Sequence, residues 1–201
     1  MTKTCWFVSK SKHKGNLKMK KIAVILADGF EEVEGVSVID LLRRATCKVE
    51  VFGVDNLRVT GSHGITIEAE EIFNYYNCLD FDGIVFVGGM KNAKTLSENS
   101  FVIDLINYYL QGEKLVAGIC ATPSLVFPKT EMPDGMDITC YPDEELIEGV
   151  NRFNFVDKNV VICNNVISSQ SPFTAFEFAL SIVDYLGLNA GLLLGDLQGK
   201  K

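Results

Sequence analysis

Lys114-Leu115-Val116-Ala117-Gly118-Ile119-Cys120-Ala121-Thr122-Pro123-Ser124 is the stretch whose reading decides the fold of this chain. Its apolar run predicts a buried strand over Leu115–Ile119 that ends at the sulfur of Cys120, with a helix starting in Pro123–Phe127. A residue at such an elbow points out of the sheet, and the unpaired N–H groups and dipole of the following helix favour negative charge. The reading therefore expects an easily formed thiolate. Lowering a thiol from about 8.5 to roughly 6 takes about 3 kcal/mol, more than a helix dipole supplies alone. A second contributor is required.

Working outward, the same alternation of apolar strand and amphipathic helix recurs. Strands are predicted over Ile22–Ala27, Lys48–Val54, Ile65–Glu68 and Gly83–Val87, and later over Asp137–Thr139, Phe153–Val156, Val160–Cys163 and Val166–Ser168. Helices are predicted over Glu32–Arg44, where Val33, Val36, Ile39, Leu41 and Leu42 fall near helical spacing, over Phe101–Gln111, and over Phe173–Leu186. Continuous Val/Ile runs bounded by helices indicate a mostly parallel sheet covered on both faces, hence a three-layer, doubly wound α/β fold. Ligands of such folds sit beyond the carboxyl ends of the strands, which is where Asp28, Gly88 and Cys120 all fall.

The 201 residues, 47% hydrophobic and 22% charged, suit a single domain over residues 20–189, with residues 190–201 as a C-terminal tail or short helix. Residues 1–19 form a basic segment read as a disordered tail, or as an extension upstream of a true start at Met19. A mitochondrial presequence fits less well, because this segment has no Arg. Its five Lys without an acid leave −12 of charge on the remainder of a chain whose net charge is −7, so nucleic acid is not an expected partner. No apolar run reaches the roughly 20 residues that span a bilayer, and residues 1–18 lack a signal-peptide pattern, so no membrane partner and a cytoplasmic location are expected. Cys5, Cys47, Cys78, Cys120, Cys140 and Cys163 are scattered, with no CxxC pair, so neither a disulfide framework nor a zinc site is expected, and Cys140 and Cys163 read as core.

The first loop, Ala27-Asp28-Gly29-Phe30-Glu31-Glu32-Val33-Glu34, is acidic where a dinucleotide fold carries its glycine-rich turn, which argues against a nicotinamide or flavin cofactor. Glu31 and Glu32 suit a helix N-terminus, whereas Glu34 lies within the helix and is placed to face the crevice. Gly88-Gly89 can aim N–H groups at an oxyanion together with Ala121, or be a simple tight turn. His63 is the only histidine of the domain and reads as a loop residue or a base. By itself Cys120 could be a core thiol; its elbow, the glycine turn and the acidic loop together favour a nucleophile.

At these residues the chain resembles the DJ-1/PfpI (ThiJ/PfpI) superfamily, in its DJ-1-like branch, from about Lys20 to Leu186. The resemblance is carried by Ala27–Glu34, by Asp40-Leu41-Leu42-Arg43-Arg44-Ala45, by Val87-Gly88-Gly89-Met90, by Ala117-Gly118-Ile119-Cys120-Ala121, and by Ser171-Pro172-Phe173-Thr174-Ala175-Phe176-Glu177-Phe178-Ala179. It implies a flavodoxin-like fold, a homodimer, no cofactor and no metal. Cys120 would be an oxidation-prone nucleophile, Glu34 a protonated partner to its sulfur, and Gly89 and Ala121 the anion-binding amides. Gly88, His63, Tyr141 and Pro172 would line the pocket. Two departures stand out. Cys140-Tyr141-Pro142 puts Tyr141 where many members carry a histidine, and Ser171-Pro172-Phe173 replaces a Gly-Pro-Gly loop. The missing imidazole argues against peptidase activity. The resemblance implies a cofactor-independent glyoxalase- or deglycase-like enzyme acting on reactive carbonyls, or else a redox-sensing stress protein or chaperone that works through oxidation of Cys120.

Overall fold

The computed structural model describes residues 19–200. Residues 1–18 of the basic segment lie outside that range. Strand β1 (Lys21–Leu26) is followed by α1 (Glu32–Arg44), β2 (Lys48–Gly53), the antiparallel hairpin β3 (Arg58–Thr60) and β4 (Thr66–Glu68), and β5 (Glu71–Ile72). Next come β6 (Gly83–Phe86), α2 (Met90–Glu98), α3 (Ser100–Gln111), β7 (Leu115–Ile119) and α4 (Thr122–Leu125). The chain continues through β8 (Asp137–Ile138), α5 (Glu144–Gly149), β9 (Asn154–Phe155), β10 (Val160–Cys163), β11 (Val166–Ser169), α6 (Ala175–Tyr185) and α7 (Ala190–Leu197).

The main sheet has seven strands in the order β10-β11-β7-β6-β1-β2-β5, parallel throughout except for the β10–β11 pair. Alternation along β1 explains the layering. Ile22, Val24 and Leu26 join one core with Val38, Leu41 and Leu42 of α1 and Phe178 and Ile182 of α6, while Ala23 and Ile25 join the other with Leu105, Ile106 and Tyr109 of α3. Each face of the strand is thus buried under helices, as its unbroken apolar sequence requires. From β1 the chain crosses to β2 on one side and returns to β6 on the other, so a crevice opens between the carboxyl ends of β1 and β6. Among the described residues no helix is long and apolar enough to cross a membrane.

Several elements depart from the sequence expectation. The helix after Cys120 is a single turn, Thr122–Leu125, passing into a 3-10 turn at Phe127–Lys129, so it carries little of the expected macrodipole. The predicted helix over Phe173–Leu186 starts later, because Pro172–Thr174 forms a 3-10 turn capped by Ser171 before α6. Helix α2 was not expected. Its Lys91, Asn92, Lys94, Thr95 and Ser97 obscure the helical pattern, while Asn92, Ala93, Leu96 and Ser97 form its buried face. Helix α7 packs on α6 through buried Leu193, so the residues read as a tail or short helix form a helix that covers the core. Cys140 is a buried free thiol; Cys163 is buried but disulfide-bonded, against the reading of it as a plain core cysteine.

Candidate active site

Strands β7, β6 and β1 are adjacent and parallel, so the loops at their carboxyl ends meet at one edge. Cys120 ends β7 with φ at +64°, in the left-handed region that a non-glycine residue adopts at a cost of about 1 to 2 kcal/mol. The turn is held from both sides. Cys120 N–H donates to Ser169 O at 2.9 Å, and its carbonyl accepts from Tyr141 N–H at 3.0 Å. The side chain is half-buried, whereas the other free thiols among the described residues, Cys47, Cys78 and Cys140, are buried.

Glu34 comes to the sulfur from α1. It is fully buried, accepts the Gly88 N–H on Oε2 at 2.6 Å, and shares a hydrogen bond with Cys120. Burial pushes its carboxyl up to about 8, with the Glu31 charge adding to the effect and the Gly88 and Cys120 hydrogen bonds opposing it. Glu34 is therefore mainly protonated at neutral pH. Its Oε1 is buried without a hydrogen-bond partner, which a neutral carboxyl tolerates far better than a carboxylate.

Burial and the Glu34 charge both push the Cys120 thiol up, while N–H groups of Gly89 and Ala121 aimed at the sulfur oppose them. The expected depressed thiol is thus not what this geometry gives, because a one-turn helix and two amides do not offset desolvation. The two groups form one unit. With Glu34 protonated, its repulsion of the thiolate becomes a donated hydrogen bond, so the first proton to leave belongs to the pair rather than to either residue.

Gly88 and Gly89 are required sterically. A Cβ on Gly88 would lie 2.4 Å from Cys120 Cβ and 2.8 Å from Glu34 Oε2. Gly89 has φ +88°, and a Cβ there would lie 2.1 Å from Gly29 O.

This arrangement of elbow, carboxyl and glycine turn can be compared with known proteins. Residues 20–185 match the family model described as "DJ-1/PfpI family". The chain belongs to the DJ-1/PfpI family. It is 37% identical over 169 residues to the fruit-fly (Drosophila melanogaster) protein dj-1beta, covering 83% of this chain and 89% of that one. It is also 32% identical over 177 residues to the Arabidopsis thaliana protein DJ-1 homolog A, covering 87% of this chain but only 45% of the plant protein's length. The crystal structure of Drosophila melanogaster DJ-1beta superposes with a TM-score of 0.83 at 34% identity, covering 90% of this chain and 98% of that one.

Against this DJ-1/PfpI background, the remaining residues expected at the site take different places. His63 is drawn to α1: its Nδ1 lies 2.9 Å from Glu32 Oε2, and its N–H donates to Glu32 Oε1 at 2.6 Å. Tyr141 reaches Cys120 through its backbone, and its side chain is exposed. Pro172 opens the 3-10 turn beyond β11, whose Ser169 carbonyl anchors Cys120 N–H.

Two residues of structural consequence were not legible beforehand. Glu32 is buried and binds the 62–65 loop through His63, Ile65 N–H and the Ser62 hydroxyl. Burial alone would push its carboxyl up, but these hydrogen bonds outweigh it and hold the group at about 2. Asn92 is fully buried behind the Gly88-Gly89 turn. The one sequence signal for it is a polar residue in the turn following the glycine pair.

Proposed function

We propose that this chain acts on small reactive carbonyls, converting an α-oxoaldehyde, or its adduct with an amine or thiol, to a hydroxy acid, the amine or thiol of an adduct being released as the Cys120 sulfur takes its place on the carbon. The observation that carries this reading is the pairing of a strained elbow cysteine with a buried carboxyl that keeps its proton up to about pH 8. Loss of one proton leaves a single negative charge on the pair. In the form with that charge on sulfur, Glu34 holds the remaining proton, and the thiolate attacks the aldehyde carbon. The carbonyl electron pair moves to oxygen, and the Glu34 proton follows it, giving a hemithioacetal. Glu34, now a carboxylate, then takes the C–H proton and returns it to the neighbouring carbon while the hydroxyl proton passes to the former ketone oxygen, which yields a 2-hydroxy thioester. Water cleaves the C–S bond, releasing the hydroxy acid and the thiol. The Gly89 and Ala121 N–H groups are the available donors to an oxyanion beside the sulfur. No step requires a redox partner.

Conversion of methylglyoxal to lactate by purified protein tests this reading, with Cys120→Ala and heat-killed protein as controls. Turnover by the wild type alone supports it; turnover no greater than the heat-killed control overturns it.

A second reading is redox sensing, favoured by Cys120 being half-buried while Cys47, Cys78 and Cys140 are buried. Peroxide would convert its thiolate to the sulfenic and then the sulfinic acid. Mass spectrometry after mild peroxide treatment should find Cys120 oxidised ahead of the other thiols, and uniform or later oxidation refutes this role.

We also propose a homodimer. Exposed Val33 and Val36 on α1 and Phe176 on α6, two helices that pack together, present apolar surface for a second copy. Sedimentation velocity yielding only monomer at micromolar concentration would exclude it.

A further inference from the structure

The side chain of Asn92 makes three hydrogen bonds within the core: Nδ2 donates to Val87 O at 2.8 Å and to Gly88 O at 3.1 Å, while Oδ1 accepts from Ala27 N–H at 2.6 Å. This orientation is dictated by the surroundings. A flipped amide would set its NH2 against the Ala27 N–H and its oxygen against two carbonyls. Asn92 thus ties the end of β1 to the turn that follows β6.

In a planar trans peptide the C=O of one residue and the N–H of the next point in opposite directions. The Val87 carbonyl is held by Asn92 and by the Thr122 hydroxyl at 2.6 Å, so the Gly88 N–H must face the other way, where Glu34 Oε2 receives it. The Gly88 carbonyl is held by Asn92 and by Glu31 N–H at 3.1 Å, so the Gly89 N–H must also face away, toward the Cys120 sulfur. One buried side chain therefore reaches both peptide planes whose amides meet the cysteine and the carboxyl. We propose that Asn92 is the positioning residue of the site: by fixing the Val87 and Gly88 carbonyls it aims the Gly88 amide at Glu34 and the Gly89 amide at Cys120, and so sets how readily the pair takes up a negative charge.

The inference rests on Cys120 and Glu34 acting as a pair, but not on any particular substrate. Among the described residues, Glu31 is the further ionisable group whose charge acts on Glu34; Glu32 and His63 across the loop are bound to each other. Loosening the two amides removes donors that favour the anion, so the pair should ionise at higher pH.

The test is the pH profile of Cys120 alkylation by iodoacetamide on the full chain, followed by mass spectrometry of the Cys120 peptide. Asn92→Ala is expected to slow alkylation at pH 7 about tenfold, which corresponds to a midpoint about one unit higher. Tyr109→Phe, which removes a buried hydrogen bond to Cys78 O remote from the site, serves as a control for lost stability and should leave the midpoint unchanged. Thr122→Val frees the Val87 carbonyl from one of its two donors and should move the midpoint in the same direction by a smaller amount; it carries the test if Asn92→Ala does not fold. Profiles of the folded variants that overlay the wild type, or a shift equal to that of Tyr109→Phe, overturn the proposal. Absence of methylglyoxal turnover by the wild type would instead remove the carbonyl reading and leave this one standing, because alkylation needs no substrate.

Discussion

Gly88 donates its backbone N–H to Glu34 Oε2 across 2.6 Å, joining the first turn of α1 to the end of β6 inside the core. The contact satisfies one carboxyl oxygen and leaves the other, Oε1, without a partner. Glu34 therefore keeps its proton in the folded protein up to about pH 8, whereas in the unfolded chain it ionises near 4.5. The site contains an acid that folding holds neutral.

Stability should consequently fall as pH rises between these two values. In that window the unfolded chain has released the Glu34 proton and the folded chain still binds it, so raising the pH favours unfolding, by on the order of 3 to 5 kcal/mol across the window. Glu34→Gln abolishes this dependence. Urea midpoints at pH 5, 6, 7 and 8 should show the wild type losing stability relative to Glu34→Gln; parallel curves would show that the carboxyl is already ionised.

Gly88→Ala should disable the site while retaining the fold's secondary structure. The added methyl would lie 2.4 Å from Cys120 Cβ and 2.9 Å from its sulfur, so the sulfur, the carboxyl or the turn must move. Overpacking of this kind costs about 1 to 3 kcal/mol. Cys120 alkylation rates and thermal melts check the two effects, and an unchanged rate would count against the close packing of pair and turn.

The φ of +64° at Cys120 gives a comparison between two inactive variants. Both Cys120→Gly and Cys120→Ala remove the thiol, but only glycine adopts this conformation freely. Cys120→Gly should be more stable than Cys120→Ala by about 1 kcal/mol, the reverse of the order in ordinary backbone. Calorimetry on the pair decides it.

Glu32→Ala should release the 62–65 loop. Buried Glu32 holds the His63 ring, two backbone N–H groups and the Ser62 hydroxyl, so truncation should cost about 2 to 3 kcal/mol and speed amide exchange at His63 and Ile65. Because folding lowers the Glu32 carboxyl from 4.5 to about 2, its contribution is fully present above 4.5 and is lost as pH falls through about 2. Wild type and variant should therefore converge in stability in strong acid. A difference that persists at pH 2 would assign the effect to packing alone.

Much of the layout was legible from local patterns. Continuous apolar runs such as Ile22–Leu26 and Leu115–Ile119 announce strands buried on both faces, and Glu32–Arg44 has the bounds its periodicity predicts. Helix α2 escaped notice because the residue completing its buried face is Asn92, whose polarity is satisfied by backbone groups distant in sequence. The same cause hid Glu32, which resembles a first-turn acid until the 62–65 loop folds over it.

The sequence by itself determined the parallel sheet, the elbow at Cys120 and the glycine turn, because hydrophobic periodicity and glycine's conformational freedom act over a few residues. Only the tertiary structure decided the electrostatics. Whether Cys120 is raised or lowered, whether Glu34 keeps its proton and whether His63 serves the thiol or Glu32 depend on desolvation, on amides brought together from the ends of β6 and β7, and on the carboxylates of α1. Those energies arise from which groups exclude water around one another, and that is settled only when strands distant in the chain lie side by side.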